Sequence, residues 1–231
     1  PYSVTNGIAL IPIMGVITKE SSFFGKLFGG ASTLEIAENL NKALDDPNVV
    51  SIVLQIDSPG GSVDGIESLA QAIYKARQEK PIVAFADGMM ASAAYWLGSA
   101  ASEVYISGET TQVGSIGVVA THLDLSERAK KEGIQVNEIV AGKYKRMASP
   151  FKPLSEEGRA YIQGQVDSIY KTFVETIALH RNVSVDTVLS QMADGKLFIG
   201  SQTIQNGLVD GVKYLPKLLK TERKQIMNQL E

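Results

Sequence analysis

The sequence predicts an α/β fold with a mainly parallel sheet flanked by helices, and two observations carry this prediction. Short β-rich runs alternate with amphipathic helical runs along most of the chain, which is the pattern of strands joined by helical crossovers. The run Val49 to Ile56 is almost continuously apolar, as expected for a strand buried on both faces. With 231 residues, of which 44% are hydrophobic, the chain can bury a sizeable core.

The first half of the chain shows this alternation most clearly. Ile8 to Ile13 predicts a strand, and the Gly- and Phe-rich segment Ser21 to Ala31 predicts a loop. Ser32 and Glu35 have capping-box spacing ahead of a helix, which Asp46-Pro47 ends. The elements predicted after the strand at Val49 are a helix through Ile66, Leu69, Ile73 and Ala76, a strand Ile82 to Ala86, and a strand Val104 to Ile106.

The second half is predicted to carry the longest helix, which starts at Ser155 after a basic connection, Ala141 to Leu154. Its other predicted elements are β-rich runs at Val113 to Ala120 and Ile134 to Val140, helices at Glu127 to Glu132 and Val185 to Met192, and a strand-helix-strand stretch from Lys196 to Val212. In open parallel sheets, ligand sites form beyond the carboxyl ends of the strands. The two small-residue turns that follow Ile56 and Ala86 are therefore expected at one edge.

Composition excludes several classes of function. The net charge of −3 argues against nucleic acid as a partner, because phosphate binding needs a basic excess on one face. Absence of cysteine excludes disulfides and thiolate chemistry, and two histidines make a metal site improbable, so no metal and no cofactor is expected. The longest apolar run, Ile8 to Ile17, is about half as long as a membrane-spanning helix.

The turn after Ile56 is the first candidate for chemistry. Pro59-Gly60-Gly61 lies between a buried strand and a helix, where exposed backbone N–H groups can hold an anion or a developing oxyanion. The turn matches neither the P-loop nor the dinucleotide fingerprint. Taken alone, it is equally well explained as a tight turn whose serines bond the backbone.

The second candidate is Ser92, which lies among alanines at a strand-to-helix junction. Small neighbours allow a substrate backbone to approach closely, and a serine there can act as a nucleophile. In isolation, Ser92 is more simply explained as an N-cap.

A nucleophilic serine needs a base, and two candidates are present. His122 and Asp124 suggest a Ser-His-Asp triad. Lys145 is the other, although a lysine acts as a base only when burial depresses its pKa. Lys143, Lys145 and Arg146 together are typical of a solvated basic loop, and no spacing rule selects Lys145.

Five motifs in fixed order carry a resemblance to a known family. They are Asp57-Ser58-Pro59-Gly60-Gly61, Met90-Ala91-Ser92-Ala93-Ala94-Tyr95-Trp96, Val113-Gly114-Ser115-Ile116-Gly117-Val118, Gly142-Lys143-Tyr144-Lys145 with Ser149-Pro150, and Asp194-Gly195 through Gly207-Leu208-Val209-Asp210. From about Ile8 to Val212 the chain resembles the signal peptide peptidase A (protease IV) family of serine peptidases, especially its compact phage- and prophage-associated members. Many relatives have Ser-Gly-Gly-Tyr where this chain has Ser92-Ala93-Ala94-Tyr95.

The resemblance implies a ClpP/crotonase-like fold and a Ser/Lys dyad. It implies that Ser92 is the nucleophile, Lys145 the general base, and Ser115 the residue that aims the lysine. It further implies that the N–H groups of Gly61 and Ala93 form the oxyanion hole.

Around this site, Gly60, Val63 and Met90 are expected to bind substrate, because small and apolar residues suit apolar side chains in the cleft. The alternatives are a ClpP-type triad of Ser92, His122 and Asp124, a crotonase-like acyl-CoA enzyme, and an inactive scaffolding or interaction protein.

The organisation expected from the sequence is one peptidase domain over residues 1–215 and an amphipathic tail over residues 216–231. A polypeptide substrate and a homo-oligomer are implied by the resemblance. The expected location is the cytoplasm, or a membrane surface if an anchor preceded Pro1.

Overall fold

The computed structural model describes residues 2–20, 29–216 and 218–219. They fall into two compact units, the first from the described parts of 1–117 and 173–231 and the second from 118–172. Most of the loop expected at Ser21 to Ala31 and most of the tail expected at residues 216–231 lie outside the described residues. The expectation of a single domain over residues 1–215 stays a prediction.

Among the described residues, the first unit is built on an eight-stranded sheet, and most neighbouring strands in it are parallel. Its strands are β1 (Ser3–Thr5), β2 (Ile8–Met14), β5 (Ser51–Ser58), β6 (Ile82–Ala91), β7 (Glu103–Ile106), β8 (Gln112–Gly114), β9 (Leu197–Ile199) and β10 (Gly211–Val212). The order is β1-β2-β5-β6-β7-β10, with β8 paired to the end of β6 and β9 paired to β8. Only the pairs β1–β2 and β8–β9 are antiparallel in this sheet of the described chain. A small parallel sheet joins β3 (Val16–Thr18) to β4 (Gly30–Ser32).

Helices connect many of these strands along the described chain. They are α1 (Thr33–Asp45), α2 (Ile66–Ala76), α3 (Ala93–Ser99), α4 (Ser126–Lys131), α5 (Glu156–Arg181), α6 (Val185–Thr187), which continues as a π-helical turn at Val188–Met192, and α7 (Ser201–Gln205). The predicted start of α1 is confirmed, because the Ser32 hydroxyl accepts a 3.4 Å hydrogen bond from Glu35 N. Its end at Asp46 is confirmed as well. None of the helices in the described ranges is long and apolar enough to cross a bilayer.

The core of the first unit is formed by the central strands β5 and β6. Ile8, Val53, Val83 and Phe85 cluster with Leu218, and each of them is at most 1% exposed. Burial of such side chains contributes about 1.5–3 kcal/mol each. The rigid strands therefore hold the turns that follow them in fixed positions, and the predicted α/β architecture with a mainly parallel sheet is confirmed.

Three of the predicted elements differ from the structure in extent. β6 extends to Ala91 instead of ending at Ala86, because its last residues pair with both β5 and β8. β8 ends at Gly114, so most of the run to Ala120 is not a strand. Ala31 lies in β4 and not in a loop.

The expected strand at Ile134 to Val140 is wrong. The segment has no regular secondary structure and pairs with no strand in the described chain, and the Ile139 side chain is 99% exposed. An alternating pattern predicts a strand only where a neighbouring strand supplies the ladder of hydrogen bonds.

Candidate active site

The end of β6 presents Ser92 in a strained backbone conformation. Its φ is 53° and its ψ is −125°, which non-glycine residues rarely adopt and which costs about 1–3 kcal/mol. Two backbone bonds hold it there: Ser92 N donates to Gly114 O over 2.8 Å, and Trp96 N donates to Ser92 O over 3.0 Å. The Ser92 hydroxyl makes no capping bond to α3, although the residue occupies the N-cap position. The simple N-cap explanation therefore does not account for this serine.

The Gly60-Gly61 turn lies directly against Ser92. A Cβ placed on Gly60, whose φ is 98°, would lie 2.8 Å from Ser92 Cβ and 3.0 Å from Ala93 N. A Cβ on Gly61 would lie 1.9 Å from the Ile17 carbonyl oxygen. The two glycines are thus required by close approach on both sides of the turn.

The direction of the Gly61 N–H follows from its pairing with β3. Ile17 N donates to Gly60 O and Ser62 N donates to Ile17 O, each over 2.9 Å, in a parallel bridge centred on Gly61. In such a bridge the central residue's own N–H points away from its partner strand. The Ala93 N–H, on the first residue of α3, likewise lacks an acceptor within the helix. Both predicted oxyanion donors therefore belong to backbone that meets beside Ser92.

Ser115 is a neighbour of Ser92 across the sheet. Ala91 pairs with Gly114, so Ser92 and Ser115 leave adjacent parallel strands at the same level. Ser115 also has a φ of 53°, and its N–H donates to Lys196 O over 2.7 Å. The first unit thus brings together five of the predicted site residues, namely Ser92, Ser115, Gly60, Gly61 and Ala93.

Lys145 lies in the second unit, on an exposed turn where its N–H donates to Gly142 O over 3.0 Å. The two other cations of the motif are ion-paired: Lys143 Nζ lies 2.6 Å from Glu157, and Arg146 lies 2.8 Å from Glu138. Among the described residues, no carboxylate pairs with Lys145. The structure therefore distinguishes Lys145 from Lys143 where the sequence did not.

His122 and Asp124, the members of the alternative triad, have other hydrogen-bond partners in the second unit. His122 Nε2 lies 2.9 Å from the Ser149 carbonyl oxygen. The Asp124 carboxylate accepts from Ser126 N over 2.9 Å at the start of α4, and hydrogen bonds from Ser126 lower the pKa of Asp124. The Asp124 contact is local to the start of a helix, whereas the His122 contact joins residues 27 positions apart.

The predicted substrate-binding residues differ in exposure. Val63 is 45% exposed beside the glycine turn. Met90 is fully buried, and its sulfur packs where a Cβ on Gly98 would lie. This position does not favour direct contact between the Met90 side chain and a substrate.

Sequence reasoning missed the side chains that anchor α3. The Tyr95 hydroxyl, fully buried, donates to Leu208 O over 2.8 Å, which explains why the motifs around these two residues occur together. Ser99 Oγ lies 2.9 Å from His180 Nδ1, and His180 stacks on Tyr74 with ring centroids 5.0 Å apart. No local pattern signals these contacts, because the partners are more than 80 positions apart along the chain in each hydrogen bond.

Comparison with known proteins decides the family. Residues 74–228 match the family described as Peptidase family S49. The chain belongs to peptidase family S49. This S49 match includes Ser92, Ser115 and Lys145, and it begins after the Gly60-Gly61 turn. The resemblance inferred from the five motifs is confirmed.

Relatives of this S49 chain carry protease and phage-assembly names. A Methanocaldococcus jannaschii protein with the name of a protease is 36% identical over 78% of this chain and 56% of its own length. The head-tail preconnector protein GP5 of Enterobacteria phage P21 is 32% identical over 90% of this chain and 41% of its own. The capsid assembly protease C of Escherichia phage lambda is 31% identical over 90% and 47%. The chain thus spans about half the length of these relatives.

Proposed function

We propose that the chain is a serine peptidase that cleaves polypeptides through an acyl-enzyme on Ser92, with Lys145 as the general base. The observation that carries the proposal is the environment of Ser92. The Ser92 backbone is strained, its hydroxyl makes no capping hydrogen bond to the helix, and the Gly60-Gly61 turn packs against it. Backbone strain held in place beside backbone donors is typical of a nucleophile fixed before substrate binds.

In the proposed reaction, the Lys145 amine takes the proton of the Ser92 hydroxyl while Oγ attacks the substrate carbonyl carbon. The Gly61 and Ala93 N–H groups stabilise the negative charge that develops on the carbonyl oxygen. The intermediate collapses with transfer of the proton to the leaving amine, and water then hydrolyses the ester. The Ser115 hydroxyl orients the amine.

The Lys145 side chain is exposed in the second unit, so burial does not support its role; the support within the described chain is that no carboxylate pairs with it. A carboxylate beside an amine favours the charged form, which cannot accept a proton. Because the base must be unprotonated, activity should rise with pH. A rate optimum well below neutrality would contradict the role of lysine.

The substrate class that we propose is the polypeptide backbone, taken in extended form. Relatives named as a capsid assembly protease and as Protease 4 act, by their names, on proteins. Val63 and the Gly60 backbone would flank the scissile bond. We place the reaction in the cytoplasm by analogy with the phage relatives, and cell fractionation with an antibody would test this.

The test of the proposed function is hydrolysis of an unfolded protein by four variants. Ser92→Ala and Lys145→Ala should each lose activity by roughly 10³-fold or more. Lys143→Ala is the matched control, since Lys143 is held by Glu157, and it should retain most activity. Full activity of Ser92→Ala would refute the proposal, whereas loss in His122→Ala with full activity in Lys145→Ala would favour the triad.

We also propose that the chain forms a homo-oligomer through its second unit. Large apolar side chains of this unit are strongly exposed: Ile139 by 99%, Val119 by 86% and Leu123 by 62%. Exposed apolar side chains that lie together are typical of a protein interface, and Val119 and Leu123 line the same pocket of this unit. Val119→Lys should lower the mass measured by sedimentation, and an unchanged mass would contradict the use of this surface.

A further inference from the structure

A buried hydroxyl lies inside the glycine turn, at Ser58. The residue is 0% exposed, and its Oγ donates to the Gly15 carbonyl over 2.6 Å while accepting from Gly60 N over 3.1 Å. One side chain thus bonds the chain before β3 and the residue packed against Ser92. A serine that only rounds off a surface turn would not be buried between two backbone segments.

The hydrogen bond from Gly60 N to Ser58 Oγ, together with the bonds to Ile17, leaves one amide of the turn available to bind an oxyanion. Gly60 N–H is occupied by Ser58, Gly60 C=O by Ile17, and Ser62 N–H by the Ile17 carbonyl. The Gly61 N–H lies between these bonded groups along the chain. In the bridge with β3 it points away from β3 and is left available. The hydroxyl therefore holds the peptide unit that precedes Gly60, and the bond from Ile17 N to Gly60 O holds the next one, which carries the Gly61 N–H.

The same hydroxyl also ties the turn to the segment that precedes β3. Gly15 N donates to Asp57 O over 2.9 Å, so the bond from Ser58 to Gly15 O closes a second link between the same two segments. Without the hydroxyl, Gly60 would lose the bond to its N–H, and the bond from Ile17 to its carbonyl would alone hold it in the tight space beside Ser92 Cβ.

We infer that Ser58 is a positioning residue, which holds the Gly61 N–H in line with the oxyanion formed at Ser92. This inference rests on the proposed function. Oxyanion donors act in the transition state, and removal of one reduces kcat by about 10²–10³-fold. Misorientation of a donor that remains present should produce part of that loss, with substrate binding largely unaffected.

The experiment compares Ser58→Ala with Ser62→Ala, a matched control on the same turn. The Ser62 hydroxyl is exposed and accepts only a local bond from Asp64 N over 3.3 Å. The concentration of active sites is first measured by titration with a serine-directed phosphonate. The value of kcat is then calculated per active site, so that unfolded protein does not lower it. Inhibition by a peptide aldehyde, whose adduct with Ser92 carries an oxyanion, is then measured for each variant.

Ser58→Ala is expected to lower kcat by roughly 10- to 100-fold with KM within about twofold, and to weaken the aldehyde by a similar factor. Ser62→Ala should match the wild type. Ser58→Cys, which keeps the volume and a weak hydrogen-bonding group, should recover part of kcat and serves if the alanine variant does not fold. Unchanged kcat in Ser58→Ala would overturn the inference. If only Ser58→Cys folds, unchanged kcat in that variant would overturn it. A loss of kcat without weaker inhibition by the aldehyde would also overturn it.

The two proposals fail separately. Full activity in Ser92→Ala refutes the proposed function whatever Ser58 does. If Ser92→Ala is inactive and Ser58→Ala has normal kcat and normal aldehyde inhibition, only the positioning role of Ser58 is refuted.

Discussion

The two units hold their parts of the proposed site by different means. In the first unit, Ser92 and Ser115 are fixed by backbone bonds at the end of a buried sheet. In the second, the turn that carries Lys145 is flanked by side-chain ion pairs on the surface. Glu138 there accepts from Ser149 Oγ over 2.6 Å and from Arg146 over 2.8 Å, and Lys152 Nζ lies 3.6 Å from its carboxylate.

This difference implies different sensitivities. Buried backbone bonds are little affected by salt, whereas an exposed ion pair contributes only about 0–1 kcal/mol and is screened by salt. The nucleophile and the oxyanion donors should therefore keep their geometry under conditions that loosen the turn of Lys145. As the salt concentration rises, the catalytic rate should therefore fall because the turn of Lys145 loosens, before the geometry around Ser92 changes.

The largest effect is expected from a pair of glycine substitutions that share a backbone angle. Gly60 and Gly142 both have a φ of 98°, but a Cβ would lie 2.8 Å from Ala91 O at Gly60 and would meet nothing within 4 Å at Gly142. Gly60→Ala should reduce kcat by roughly 10³-fold, because the turn must move away from Ser92. Gly142→Ala carries the same angular strain without the clash and should lose roughly tenfold or less. Equal losses would show that the close approach at Gly60 is unimportant.

The second prediction concerns acid stability of the first unit. Burial, with a smaller contribution from Arg77, lowers the pKa of His180 from its usual 6.5 to about 4. The folded state thus favours neutral His180, so its contribution is complete above pH 6.5 and declines as pH falls towards 4. The unfolding free energy should drop by about 3 kcal/mol at most across that window.

The measurement is urea unfolding of the wild type and His180→Phe between pH 7 and pH 4.5. The phenyl ring keeps the stacking on Tyr74 but has no titrating group, so the variant should show a much flatter dependence. A slope that persists in His180→Phe would assign the acid sensitivity to another group.

The smallest effect is expected from Glu138→Gln. The Ser149 hydroxyl, with help from Arg146, lowers the pKa of Glu138, so its contribution is present at neutral pH and is lost as pH falls below the usual 4.5. Loss of the charge should reduce kcat roughly 3- to 10-fold by loosening the turn of Lys145, and 0.5 M salt should mimic it in the wild type.

Glu127→Gln removes an exposed pair with Lys130 on α4 and is the control for this variant. It should leave kcat unchanged. If Glu138→Gln behaves like the control, the ion pairs do not position Lys145 and the contrast between the units fails.

The sequence predicted the regions where geometry is local. The apolar run ending at Ile56 and the glycines after it specify a buried strand and a close turn, and both are present. It failed at Ile134 to Val140, because alternation cannot show whether a partner strand exists. It could not separate Lys145 from Lys143, because Glu157 pairs with Lys143 only after the chain has folded back. The sequence indicates only a turn residue at Ser58, because burial between two backbone segments that are distant along the chain leaves no local pattern.

The central claim is that Lys145 activates Ser92, and the rate at which a fluorophosphonate labels Ser92 tests it most directly. This rate should be measured between pH 6 and pH 10 in the wild type, Lys145→Ala and Lys143→Ala, since labelling requires activation of Ser92 but no peptide hydrolysis. We predict that Lys145→Ala labels at least about 10²-fold more slowly and loses the rise with pH, while Lys143→Ala follows the wild type. Labelling of Lys145→Ala at the wild-type rate across this range would contradict the account.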